Sequence, residues 1–233
     1  RTVPSITDIA SGKLRVSQFR DVDLNDLLGR DVVHLDLDLI EAFARDQTIL
    51  VTGAGGSIGS EMCRQICQFA PRRLLLVEQA ENPLFYVDRE LRTRFPHLAI
   101  EPLVCDITDP DRVEEIFQRH RPAVVIHAAA HKHVPLIELN AGEAIKNNVV
   151  GTMIVTDASD RFAATHFVMI STDKAVNPTS MMGSSKRIAE MYVQDLSRTS
   201  KTHFITVRFG NVLASEGSVV PIFRKQIAEE IGR

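Results

Sequence analysis

Ser171-Thr172-Asp173-Lys174 sets two hydroxyls, a carboxyl and an amine in consecutive positions after a short aliphatic run. A hydroxyl can orient a substrate alcohol. A carboxyl can donate a proton and an amine can accept one, provided their environment moves both away from their usual charge states. The same four residues also read as an Asp/Lys pair on a solvated loop, a common surface arrangement.

A second chemical signal lies upstream, where Ile49-Leu50-Val51-Thr52 leads through a glycine-rich turn into an amphipathic stretch. Gly53, Gly56 and Gly59 follow a GxxGxxG spacing. Glycines there allow a tight turn, close approach of backbone N–H groups to a pyrophosphate, and a helix N-terminus that stabilises negative charge. Glu78 follows Gly53 by 25 residues, near the offset of a carboxylate that binds an adenosine ribose diol. Such a carboxylate repels a 2'-phosphate, so NAD is favoured over NADP, although Arg72 and Arg73 weaken the preference. Asp106 is placed either to meet an adenine edge or to cap a helix near Asp109. Ala128, Ala129 and Ala130 leave room for a dinucleotide or for a tightly packed helix. His131, Lys132 and His133 are too close together for metal-ligand spacing and lack a completing carboxylate, so a substrate-facing loop is expected and no metal.

The elements that must carry these groups show in the hydrophobic pattern. From residue 48 onward, short aliphatic runs alternate with helix-length amphipathic segments, which predicts a doubly wound parallel sheet of the α/β, Rossmann type. Strands are expected at 48–52, 74–78, 99–104, 123–127, 166–170 and 204–208, and helices at 58–69, 84–95, 109–120, 142–162 and 183–198. Residues 1–46 read as an arm, with helical stretches at 23–28 and 37–44 around a turn at Gly29, and 47–233 as the dinucleotide-binding domain.

Composition narrows the classes further. With 44% hydrophobic and 24% charged residues in 233, disorder as the main state is excluded. No apolar run reaches the roughly 18 residues of a membrane span. Basic residues, 27 against 30 acidic, form no stripe, which argues against nucleic acid as a partner. Cys63, Cys67 and Cys105 suit buried, reduced thiols in a reducing, cytoplasmic compartment. The first residue is Arg1, so a processed product or a piece of a longer chain is expected.

Four strings together resemble the extended short-chain dehydrogenase/reductase superfamily, and within it the nucleotide-sugar 4,6-dehydratases of the capsule and flagellin-glycan type that act on UDP-N-acetylglucosamine. They are the segment from Val51 to Glu61, Lys132-His133-Val134-Pro135-Leu136, Ser171-Thr172-Asp173-Lys174-Ala175-Val176, and Arg208-Phe209-Gly210-Asn211-Val212. The resemblance implies that Thr172 hydrogen-bonds the sugar C4 hydroxyl, Asp173 protonates the departing C6 hydroxyl and Lys174 removes the C5 proton. A C5–H is not acidic until C4 is a ketone, so a bound NAD would first accept the C4 hydride and later return it to C6. To the cofactor the resemblance assigns Gly53, Gly56, Ser57, Ile58 and Gly59 at the turn, and Glu78, Asp106 and Ile107 beside it. Ala128, Ala129, Ala130, Asn148 and Lys186 complete that set. Asn148 has the alternative of a buried helix amide. Lys132, His133 and Asn211 are the implied substrate contacts, Asn211 being equally readable as a turn residue.

Met182 departs from the superfamily, whose Tyr-x-x-x-Lys motif would place a phenol four residues before Lys186. A thioether cannot shuttle a proton, although the larger membrane-anchored dehydratases resemble this chain in carrying such a Met. Tyr192 is too far along the helix to replace it. The resemblance further implies a substrate-binding part truncated at Arg233, a parent at the cytoplasmic face of a bacterial inner membrane, and a homo-oligomer through the helices near Gly142 and Gly183. This piece is expected to bind NAD and to turn over a UDP-sugar poorly. Two other readings are a UDP-sugar 4-epimerase, which needs no C5 base, and a non-catalytic NAD-sensing module.

Overall fold

Strand residues alternate between two faces, and in the central strands both faces are apolar, so those strands must be covered on both sides. In the computed structural model, which describes residues 37–212, Ile49 and Val51 of β1 (Thr48–Thr52) enter one core. Leu50 enters the other. The remaining strands are β2 (Arg73–Glu78), β3 (Ile100–Val104), β4 (Val124–His127), β5 (His166–Thr172) and β6 (His203–Phe209). All pair in parallel in the order β3-β2-β1-β4-β5-β6. The order reverses between β1 and β4, which opens a crevice at the carboxyl ends of those strands.

One face is covered by α1 (Leu37–Ala44), α2 (Ser57–Cys67) and α3 (Glu81–Arg94), through Ala44, Cys63, Ile66, Leu84, Val87 and Leu91. The opposite face is covered by α4 (Pro110–His120), α7 (Thr152–Arg161) and α8 (Met181–Leu196). There Phe117 and Phe167 are buried together, each contributing roughly 2 to 3 kcal/mol by removal from water. The predicted doubly wound sheet is therefore observed, each strand within two residues of its expected bounds. The cysteines are buried free thiols, as expected. Burial pushes the Cys67 and Cys105 thiols up to about 11 and Cys63 still higher.

Three details differ from the periodic reading. Residues 134–139 form a short helix, α5 (Val134–Leu139), with Pro135 in its first turn. The single helix expected at 142–162 is instead α6 (Ala141–Ala144), a π-helical segment (Ile145–Gly151) and α7. β5 extends to Thr172, and Asp173–Ala175 make a 3-10 turn, so Thr172 is the last strand residue. The helix expected at 37–44 is α1, whose Phe43 ring meets His166 edge-on at 5.0 Å. The stretch 23–28 and the turn at Gly29 lie outside the described residues, as does everything beyond 212.

Candidate active site at the carboxyl edge of the sheet

β1 delivers its chain into a turn that only glycine fits. Gly53 has φ +66°, and a Cβ there would stand 2.7 Å from the Ala129 nitrogen. A Cβ on Gly59 would stand 2.0 Å from the Gly53 carbonyl oxygen, so the first turn of α2 lies directly against the glycine loop. Gly56 is the N-cap of α2 and offers no side chain to its first N–H groups, which leaves backbone donors at the crevice. Glu78 ends β2 and accepts from Gly55 N–H through Oε2 and from Ala80 N–H through Oε1, both at 3.1 Å. Its carboxylate is thereby aimed along the loop, with lone pairs left over for a diol.

A cleft of about 250 Å³ opens here, lined by Gly53, Gly56, Glu78, Ile107 and Ala128 to Ala130 among the residues expected for the cofactor. Gly55, Gln79, Pro83, Cys105 and Asn147 also line it without having been among the expected site residues, and so does His131, from the loop expected to face a substrate. Backbone-lined positions such as Gly55 carry no side-chain signal. Gln79 and Pro83 follow Glu78 closely enough that proximity could have flagged them. Asp106 stands beside the cleft, its Oδ1 accepting from the N–H and hydroxyl of Thr108, both at 2.8 Å. The helix cap is Asp109 itself, which accepts from Arg112 N–H.

Asn148 sits in the π-helical segment, fully buried. Its Oδ1 accepts from His131 N–H at 2.8 Å, and its Nδ2 donates to the His131 carbonyl and to Ser185 Oγ, both at 3.0 Å. One amide thus clamps the loop after β4 to α8. Gly151 lets Ile107 pack closely, since a Cβ would stand 2.7 Å from Ile107 Cδ1.

The second group of predicted residues gathers where β5 ends, on the strand next to β4. Thr172 donates to Asp173 Oδ1 at 3.0 Å, and Lys174 Nζ donates to the same oxygen at 3.1 Å and to Asn211 Oδ1 at 3.2 Å. Asn211 is therefore bonded directly to Lys174, beside the three residues predicted to be catalytic. The 3-10 turn lies against the start of α8, where a Cβ on Gly183 would stand 2.5 Å from the Lys174 carbonyl oxygen. The hydrogen bonds from Lys174 and Thr172 hold the Asp173 carboxyl below its usual range. That direction is opposite to the protonated state an acid requires, because Asp173 lies at the surface with an ammonium beside it.

Lys186 is 4% exposed and donates to the Ile170 carbonyl at 2.8 Å, its one hydrogen-bond partner among the described residues. Burial pulls its ammonium down to about 8, with the Glu190 charge opposing. Glu190, 3% exposed, accepts from Ser171 Oγ at 2.6 Å and Arg208 Nε at 2.8 Å. Burial pushes its carboxyl up, but the bonds from Arg208, Ser171 and Arg187 outweigh that and hold it low. This pair of buried charges ties β5, β6 and α8 together directly behind Thr172.

Met182 packs in an apolar cluster with Ile137, Ala144, Val134 and Met181. Its carbonyl accepts from Ser185 Oγ, the hydroxyl that Asn148 also holds. Tyr192 donates to Asp157 and bonds α8 to α7. Lys132 is exposed and His133 is the N-cap of α5, and neither lines the cleft as His131 does. Among the described residues no group of His, Cys, Asp and Glu could hold a metal.

Residues 49–232 match the family described as polysaccharide biosynthesis protein. The chain belongs to that family, within the extended short-chain dehydrogenase/reductases. It is 49% identical over 227 residues to the capsular polysaccharide biosynthesis protein CapD of Staphylococcus aureus, covering 97% of this chain and 38% of that one. It is 32% identical over 187 residues to a UDP-N-acetylglucosamine 4,6-dehydratase (inverting) of Campylobacter jejuni, covering 78% and 54%. Among solved structures, Pen from Bacillus thuringiensis superposes with a TM-score of 0.75 at 33% identity, covering 80% of this chain and 59% of that one. The chain thus spans between about two fifths and three fifths of the length of these relatives.

Proposed function

We propose that this family member contributes the dinucleotide-binding and reactive half of an NAD-dependent nucleotide-sugar 4,6-dehydratase acting on a UDP-N-acetylhexosamine, with UDP-N-acetylglucosamine favoured. The observation that carries the reading is the convergence of Thr172, Asp173, Lys174 and Asn211 at the end of β5, one strand from the cleft. The cleft residues fit a dinucleotide: a pyrophosphate would lie on the Gly53 to Gly56 turn and an adenosine ribose on Glu78. The resemblance would place the nicotinamide ribose at Lys186, which lies outside the cleft lining. Bound there, NAD would supply reversible hydride acceptance with no net redox change.

The remaining chemistry falls to side chains. Thr172 orients the sugar C4 hydroxyl, Lys174 takes the C5 proton and Asp173 gives a proton to the leaving C6 oxygen. Without substrate, Lys174 and Asp173 form an ion pair at 3.1 Å, the reverse of the protonation states that elimination needs. One proton passed along that hydrogen bond, from Nζ to Oδ1, produces the neutral amine and the carboxylic acid together. A sugar that excludes water favours this neutral pair, because desolvation penalises both charges. The same two residues argue against a 4-epimerase, which requires no C5 base.

The reading extends to a longer parent at the cytoplasmic face of a bacterial membrane, supported by the likeness to larger membrane-anchored dehydratases in carrying Met182. Among the described residues no helix is long and apolar enough to cross a membrane. It also extends to a homo-oligomer through α8 and the π-helical segment, supported by exposed Ile188, Met191 and Val150. The test is incubation of the full-length parent with UDP-N-acetylglucosamine, followed by NMR. A 4-keto-6-deoxy sugar that disappears with Lys174→Ala, while NAD binding persists, is the expected result. A C4 epimer would select the epimerase, no conversion the sensing module, and undiminished turnover by the variant a different base.

A further inference from the structure

His127 ends β4, immediately before the alanines of the cleft, and is 0% exposed. Its ring nitrogens face two threonines: Nδ1 is 2.8 Å from Thr52 Oγ1 and Nε2 is 2.9 Å from Thr152 Oγ1. The single hydroxyl proton of Thr152 is already committed, since Oγ1 lies 2.7 Å from the Asn148 carbonyl, which can only accept. Thr152 therefore offers lone pairs to the imidazole, and Nε2 must carry the hydrogen. An imidazolium would make Nδ1 a donor too, take away the acceptor of the Thr52 hydroxyl, and bury a cation near Lys186. Burial, with the Lys186 charge added, indeed pulls His127 down to about 3.

The bonds consequently run in one direction. Ala129 N–H donates to Thr52 Oγ1 at 3.4 Å, Thr52 donates to His127, His127 donates to Thr152, and Thr152 donates to Asn148. This relay crosses beneath the cleft floor from β1 through β4 to the π-helical segment, whose Asn148 side chain then holds His131 and Ser185.

We propose that His127, protonated at Nε2 alone, is a positioning residue for the β4 side of the cleft, where it sets the π-helical segment and the His131 loop against the glycine turn. The proposal rests on the dinucleotide reading above. A histidine that only fills the core would contribute stability and leave ligand preference untouched, so the two roles separate by measurement.

The experiment pairs ring-nitrogen NMR on the unaltered chain with binding of NAD and of AMP, which reaches only the Glu78 side. The spectra should show a protonated Nε2 and a bare Nδ1. Thr152→Val removes the acceptor of Nε2–H and should weaken NAD about tenfold, the equivalent of one buried hydrogen bond, while AMP stays within about twofold. Thr152→Ser, which keeps the hydroxyl, should restore NAD to within about twofold of the unaltered protein. Should Thr152→Val fail to fold, Thr52→Val cuts the relay from its other end and should give the same loss for NAD. The opposite tautomer, an imidazolium, or a Thr152→Val protein that binds NAD as well as the original would overturn the positioning role. Absence of NAD binding by the unaltered chain would overturn the dinucleotide reading, and the positioning role with it, whatever the tautomer.

Discussion

Replacing Lys186 with methionine should remove an alkaline stabilisation that the ligand-free protein owes to this one buried amine. In the unfolded chain the amine titrates at its usual 10.5, and in the fold burial lowers it to about 8. Between those values the unfolded state binds a proton that the native state has shed, so stability rises with pH. The stabilisation is complete above 10.5 and is lost as pH falls through about 8. At about 1.4 kcal/mol per pH unit the whole effect is about 3 kcal/mol, and between about pH 7 and pH 10 it amounts to about 2 to 3 kcal/mol. The buried thiols act in the opposite sense, since their raised values favour the native state only while they stay protonated. They are present in both proteins and drop out of the difference. Urea unfolding of the unaltered and Lys186→Met proteins at the two pH values measures it directly. Saturating NAD should shrink the difference, because Lys186 spends one of its three N–H donors on Ile170 and a ribose diol would take the others. Parallel pH profiles for the two ligand-free proteins would refute the claim that the fold desolvates this amine.

Gly183→Ala should keep the fold but cost roughly 1 to 3 kcal/mol of stability and most of the turnover of the parent, because the new methyl meets the Lys174 carbonyl and displaces the reactive turn. Circular dichroism, a melting curve and product NMR on one sample check this; full activity would show that the turn tolerates movement. Glu78→Gln keeps one acceptor oxygen for the glycine loop and removes the charge, so the ratio of NADP to NAD affinity should rise. A titration with both dinucleotides reads that ratio, and an unchanged value would mean that Glu78 does not choose between them.

How much of this was legible in the residues themselves differs from one part to another. The strand positions were, because a parallel sheet buried on both faces demands uninterrupted aliphatic runs such as Ile49 to Val51 and Leu74 to Val77. The glycine turn was legible for a steric reason: Gly53 and Gly59 occupy points where any Cβ would collide with backbone. The π-helical segment was not, since the apolar pattern continues through it and the bond beside its end, between Thr152 and His127, joins positions 25 residues apart in the chain. The charge states of the candidate site were least legible of all. A basic Lys174 and an acidic Asp173 were the expectation, but the fold leaves both exposed and ion-paired and buries Lys186 instead.

Residue types and spacing by themselves determined which chemical groups stand at the ends of which strands, because the alternation of buried runs and helices calls for a doubly wound parallel sheet. Tertiary structure alone decided which of those groups lose water and which partner each one meets. Burial and partnership depend on segments far apart in the chain, such as Lys174 with Asn211 or Ser171 with Glu190. Since a proton's affinity for a site is set by local dielectric and neighbouring dipoles, the protonation of this cleft is a property of the fold.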